Sequence, residues 1–201
     1  MTSATNATIA GGLNNTIGTN TSHATIAGGQ GNHIASFANY SAVGGGSANA
    51  IQGGTWYATV GGGAHNIVSG NANHATIAGG EDNEIGGNAG RAAIGGGYLN
   101  KVALDGNHAT IAGGQGNEIG IDAEGAAIGG GSLNKVAASC DDAAIAGGAG
   151  NTIAANSSYS AIGGGNGNYA ADMNLGATIA GGFANTIGTN TSYSAIGGGQ
   201  E

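Results

Sequence analysis

Proline is absent from the 201 residues, lysine and arginine together supply three, and there is a single cysteine, Cys140. Aromatic residues make up 4% of the chain and charged residues 7%. With only Arg91, Lys101 and Lys135 basic and a formal net charge of −8, the cationic surface that grips nucleic-acid phosphates is missing, so no nucleic-acid partner is expected. One cysteine excludes an intrachain disulfide framework. No run approaches the roughly 18 apolar residues of a membrane span, and no membrane insertion is expected. The first ten residues show neither a basic n-region nor an apolar h-region, so no signal peptide is legible. Without proline or a strict Gly-X-Y period the chain is not collagen. At 40% hydrophobic it is too apolar for a solvated disordered tail.

What is abundant is glycine, at 46 positions, and it is periodic. Isoleucine or valine followed by Ala/Gly-Gly-Gly recurs at Ile9, Ile26, Val43, Val60, Ile77, Ile94, Ile111, Ile128, Ile145, Ile162, Ile179 and Ile196. Every interval is 17 residues, without insertion or deletion. With Ala7 as position one, the unit reads [Ala/Ser]-[Thr/Ala]-[Ile/Val]-[Ala/Gly]-Gly-Gly-x-x-Asn-x-[Ile/Val], then six variable residues. Position nine is asparagine throughout: Asn15, Asn32, Asn49, Asn66, Asn83, Asn100, Asn117, Asn134, Asn151, Asn168 and Asn185. Paired glycines and β-branched columns exclude helical repeats. They fit an all-β, parallel β-solenoid of twelve 17-residue coils, the last incomplete, stacked at about 4.8 Å per coil. The expected organisation is a lead-in over 1–6 and a single repeat array over 7–201.

Because side chains alternate along a strand, positions one, three and five face one way and two and four the other. Position three is then the inward core ladder and position eleven a second one. Glycine at position five is expected to leave room for the position-eleven side chain, and the glycine pair to form a corner. The asparagine column reads as a ladder of stacked amides that hydrogen-bond along the rod and satisfy the backbone at the bend.

Positions one to six hold no charged residue in any unit. The outward strip of the first strand is therefore small and neutral. Thr8, Thr25, Thr59, Thr76, Thr110 and Thr178 are interrupted by alanines such as Ala93 and Ala127. Such a strip suits close packing against another copy of the chain, or ice, although ice would favour an unbroken threonine column. Position seventeen is rich in Tyr and His, and Tyr40, Tyr57 and the adjacent Trp56 form a candidate platform for sugar rings or a host surface. A seam-covering role for these rings is the plainer alternative.

The units "ATIAGGQGN" and "SAIGGGNGN" resemble the head repeats of trimeric autotransporter adhesins, the YadA-like and UspA-like passenger heads, over essentially residues 7–199. The resemblance implies a left-handed parallel β-roll, three copies side by side, and an adhesive role at a cell surface or virion. The period here is longer than the family's, and the neck, stalk and anchor of such an adhesin are not in this chain. A phage tail fibre or another extracellular filament is the further setting. The expected function is a non-enzymatic structural and adhesive rod, with an ice-binding solenoid as the alternative. Expected partners are itself, as a homo-oligomer, a trimer or an end-to-end filament, and a carbohydrate or host-surface receptor.

Little else carries chemistry. Asp141–Asp142 and Glu81–Asp82–Glu84 read as solvated loop charge rather than hydrolytic carboxylate pairs. The glycine motif recurs every coil and opens no helix, so it is not a phosphate loop. "GGQGN" lacks the aspartate of a calcium-binding roll, and His23, His74 and His108 do not fall on adjacent coils. No metal or cofactor is expected, and Cys140 reads as an unpaired thiol in an outer loop.

Overall fold

A chain that repeats without slippage can pair each residue with its own equivalent, and this one does. The structure, a computed structural model, describes residues 4–200; residues 1–3 of the lead-in and residue 201 of the array lie outside the described residues. Each complete coil contributes two short strands, such as Thr25–Ile26 and His33–Ile34. The first strands stack as a 12-stranded parallel sheet and the second as an 11-stranded one, always pairing residues 17 apart. Position seven adds a third ladder of parallel bridges, from Leu13↔Gln30 to Phe183↔Gln200. The result is a parallel β-solenoid, with no helix among the described residues.

Most backbone N–H groups donate to the following coil, as in Thr25 N–H to Ser41 O at 3.0 Å and Ala35 N–H to Ile51 O at 2.8 Å. Three positions per coil reverse that direction. Position eight, fourteen and seventeen residues have φ near +55 to +75 throughout, and donate backwards: Gly31 N–H to Leu13 O, Phe37 N–H to Thr19 O, Tyr40 N–H to Ser22 O. A left-handed residue turns its peptide over, so these are the three corners of the coil.

Inside, positions three and eleven are buried along the rod, from Ile26 and Ile34 to Ile179 and Ile187. Each such side chain contributes about 1.5–3 kcal/mol on leaving water. The inward ladder weakens at the rod ends: Ile9 is 44% exposed and Ile196 partly buried. Ile9 pairs only with Ile26, and Ile196 only with Ile179, so each is covered from one side.

Three expectations need correcting. Position five makes no room for the core, because a Cβ at Gly28, Gly62, Gly79 or Gly147 would meet nothing within 4 Å. These glycines face outward. The constrained glycine is at position six, where φ is positive in every coil and a Cβ would overlap the carbonyl oxygen of the next coil from Gly12 through Gly182. The six variable residues are also not merely an outer loop. Position fifteen points inward and forms a further buried column through Thr21, Ala38, Thr55, Ala72, Ala89, Ala123, Cys140, Ser157 and Asn174.

The size of that column varies from coil to coil. Where position eleven shrinks to Ala170, position fifteen carries Asn174. Where position fifteen is Gly106, a Cβ would come 2.8 Å from Val102 Cγ1. Its polar members all donate to the position-twelve carbonyl of the next coil, as Thr21 Oγ1 does to Ala35 O at 3.0 Å and Thr55 Oγ1 to Ser69 O at 3.0 Å.

Cys140 belongs to this column, fully buried, its thiol donating to Ala154 O at 2.9 Å. Burial pushes the thiol above its ordinary range, opposed by the Ser157 N–H and reinforced by the Asp141 charge. The folded chain thus holds the proton more tightly than the unfolded one. The associated stability is intact at neutral pH and is lost as pH rises through the raised value. Native protein at about pH 8 is expected to resist iodoacetamide, while urea-unfolded protein is alkylated. Cys140→Ser keeps a donor of similar size, whereas Cys140→Leu should cost about 1–3 kcal/mol by overpacking. Rapid native labelling, or equal urea midpoints for the two variants, would contradict this placement.

Candidate functional site

The position-nine asparagines build a continuous polar spine. Asn32 Nδ2 donates to Gly28 O and Gly46 O, both at 3.0 Å, and Asn32 Oδ1 accepts the Asn49 N–H at 3.0 Å. The same set recurs through Asn185, whose Nδ2 reaches Gly181 O, Gly199 O and Asn168 Oδ1. From Asn32 to Asn185 these side chains are buried, and among the described residues no buried side-chain N or O lacks a partner. All of this capacity is spent within the rod, so the asparagine ladder is architecture and offers little to a ligand.

On the outer side of the first sheet, Thr25, Thr59, Thr76, Thr110 and Thr178 are exposed. Ala93 and Ala127 are half-buried in the same column, in register with Thr76 and Thr110. Position four beside it is exposed Ala or Gly, for example Ala27, Gly61 and Ala112. The outer column of the second sheet is different. Parallel in-register stacking places like on like, and there Glu84, Lys101, Glu118 and Lys135 alternate in sign. Lys101–Glu84 and Lys135–Glu118 close at 2.9 and 3.0 Å. Being exposed, each pair is worth at most about 1 kcal/mol; its larger effect is to avoid a like-charge ladder.

Position seventeen is the most unusual column. His23, Tyr40, Tyr57 and His74 stack ring on ring, with centroids 4.8, 4.8 and 5.0 Å apart and planes within 8° of parallel. The stack thus extends the Tyr40–Tyr57 pair by a histidine at each end. Trp56 is half-exposed at position sixteen and is not one of the stacked rings. All four stacked residues, and Arg91 and His108 beyond them, have φ between +58 and +62. Bulky side chains hold that conformation at a cost of about 1–3 kcal/mol each, and Gly125 and Gly176 fill the same corner elsewhere.

Two hollows open beside this column. One, about 400 Å³, is lined by Asn71, Asn73, His74, Asn88, Gly90, Arg91 and Asn107. The other, about 290 Å³, is lined by His108, Glu124, Gly125, Asp141, Asp142 and Tyr159. Asp141 and Asp142 are exposed there, and Asp141 Oδ1 accepts the Glu124 N–H at 3.1 Å. Of the other acidic group, Glu84 is taken by Lys101, while Glu81 and Asp82 gather with His65 so that their ligand atoms lie within 4.8 Å of one another. Among the described residues these three could together offer ligand atoms to a cation, and all are solvent-accessible. His65 stands at position eight, outside the position-seventeen column of His23, His74 and His108, so the repeat gives no signal for it.

Fold and columns together define a class, the parallel β-solenoid repeat protein with 17-residue coils. No family model and no curated protein matches the chain.

Proposed function

We propose that the protein is a non-enzymatic structural and adhesive rod that associates with further copies of itself and attaches to a surface, in the manner of the extracellular adhesin heads or fibre segments whose repeats it resembles. The observation that carries this reading is the neutral outward strip of positions two and four, its threonines exposed and its alanines mostly half-buried at position two, free of charge along the whole first sheet. Small side chains let two sheets approach closely and exclude water over many coils. Depletion of charge is what the centre of an interface requires. A trimer is favoured through the family resemblance.

The test is mass in solution. The parent is expected to be a homo-oligomer by light scattering, and Ala93→Lys, Thr110→Lys and Ala127→Lys combined should reduce it to monomers while the circular dichroism is kept. Three cations facing their own copies in a desolvated seam oppose association strongly. A parent that is already monomeric, or a triple variant with the parent's mass, defeats the reading.

A second reading, ice binding, draws on the in-register exposed threonines such as Thr59 and Thr76. The alanines Ala42, Ala93, Ala127, Ala144, Ala161 and Ala195 interrupt that column, so it ranks behind. Thermal hysteresis by a monomeric parent would put it first.

A further inference from the structure

We infer that the hollow over Gly90 is a binding site for an oligosaccharide carrying one carboxylated sugar, a reading that rests on the adhesive role proposed above and names its ligand. Gly90 creates the opening: position sixteen carries Asn73 on one side and Asn107 on the other, and its own side chain is missing between them. At about 400 Å³ the hollow has the size of a small-ligand site.

Its lining is suited to hydroxyls and one anion. The exposed amides of Asn71 and Asn88 make no side-chain hydrogen bond among the described residues, unlike the spent asparagines of position nine. Arg91 is the chain's sole arginine, and among the described residues its guanidinium has no ion-pair partner. The two lysines, by contrast, are both paired. A guanidinium presents parallel donors that match a carboxylate, which a neutral sugar cannot use fully.

Trp56 extends the site by one coil. It precedes Asn73 in the position-sixteen column, and its backbone N–H donates to Asn73 Oδ1 at 2.7 Å. The half-exposed indole supplies an apolar surface for sugar C–H groups. Coils advance by about 4.8 Å, close to the advance of one pyranose in an extended glycan.

Charge along the groove limits the ligand to one carboxylate near Arg91. Asp105 follows Asn88 in the position-fourteen column, and the neighbouring hollow holds Glu124, Asp141 and Asp142. A polyanion running along the rod meets these groups, whereas a glycan with a single acidic residue does not.

The test uses the full chain, a trisaccharide ending in one glucuronate, and the same trisaccharide with glucose in that place, titrated by calorimetry. The acidic sugar is expected to bind at least about tenfold more tightly. Arg91→Gln should lower its affinity by about ten- to a hundredfold, to that of the neutral sugar. Trp56→Ala should weaken both sugars. Equal affinity for the two, no effect of Arg91→Gln, or no binding at millimolar sugar overturns the inference. An oligomeric rod that binds neither sugar overturns this site and leaves the assembly standing. A monomeric rod that binds the acidic sugar supports this site and overturns the assembly.

Discussion

Replacing Gly114 with alanine is expected to break the rod into two independently unfolding halves, while Gly113→Ala, one residue earlier in the same motif, leaves it whole. A Cβ on Gly114 would overlap the Gly131 carbonyl oxygen and come 2.7 Å from Asn117 Nδ2, at a φ of +95°. The carbonyl is backbone and is fixed by its bond from Gln115 N–H at 2.9 Å, so nothing flexible can yield. The overlap adds to the left-handed strain, and a loss of about 4 kcal/mol or more is the expected order. In a solenoid each coil contacts only its neighbours, so the loss falls on one junction. Urea unfolding followed by circular dichroism should change from one transition to two. For Gly113→Ala the nearest atom to the new Cβ is Gly96 O at 3.8 Å, an ordinary contact, with no positive φ. That variant should unfold within about 1 kcal/mol of the parent, on the stable side, because alanine restricts the unfolded chain. Equal losses in the two variants would show that position six is not the pinch point.

The same pair shows where sequence reasoning stopped. Both glycines recur in every unit, so composition and period cannot tell them apart; only the backbone direction assigns one to solvent and the other to the neighbouring coil. The period, the parallel solenoid and the columns at positions three and eleven were legible, because the columns are written in a narrow set of β-branched residues. The asparagine column was legible for the same reason. The position-fifteen column was not, since Thr21, Ala38, Gly106, Cys140 and Asn174 share no residue type. What they share is burial, which becomes visible only once the coil is closed. The left-handed backbone at position seventeen was hidden by its occupants. Left-handed φ is ordinarily signalled by Gly or Asn, and here Tyr40, Tyr57, His74 and Arg91 adopt it. Trp56 adjoins Tyr57 in sequence, but it belongs to the position-sixteen column while the phenol rings of Tyr40 and Tyr57 join the stack.

The second large effect concerns the asparagine spine, where Asn117→Asp changes almost no volume and is expected to destabilise by about 3–5 kcal/mol at neutral pH. Asn117 Nδ2 donates to Gly113 O at 3.0 Å, Gly131 O at 3.0 Å and Asn100 Oδ1 at 3.1 Å. A carboxylate turns each of these contacts into oxygen facing oxygen, in a fully buried position. Only the bond accepted from the Asn134 N–H, at 3.0 Å, survives. Burial and the surrounding carbonyls favour the neutral acid, so the introduced carboxyl titrates higher in the folded chain than in the unfolded one. A raised folded value means that the deficit is smallest in acid, where one O–H donor is regained, and grows as pH rises through that value. Asn117→Ala is the control. It leaves the same carbonyls without donors but adds no charge, so its deficit relative to the parent should be the same at every pH. Urea midpoints of the three proteins at about pH 4 and about pH 7 decide the matter, because the aspartate variant alone should recover on acidification. If its deficit followed that of the alanine variant at both values, the spine would be acting as packing rather than as a line of directed donors.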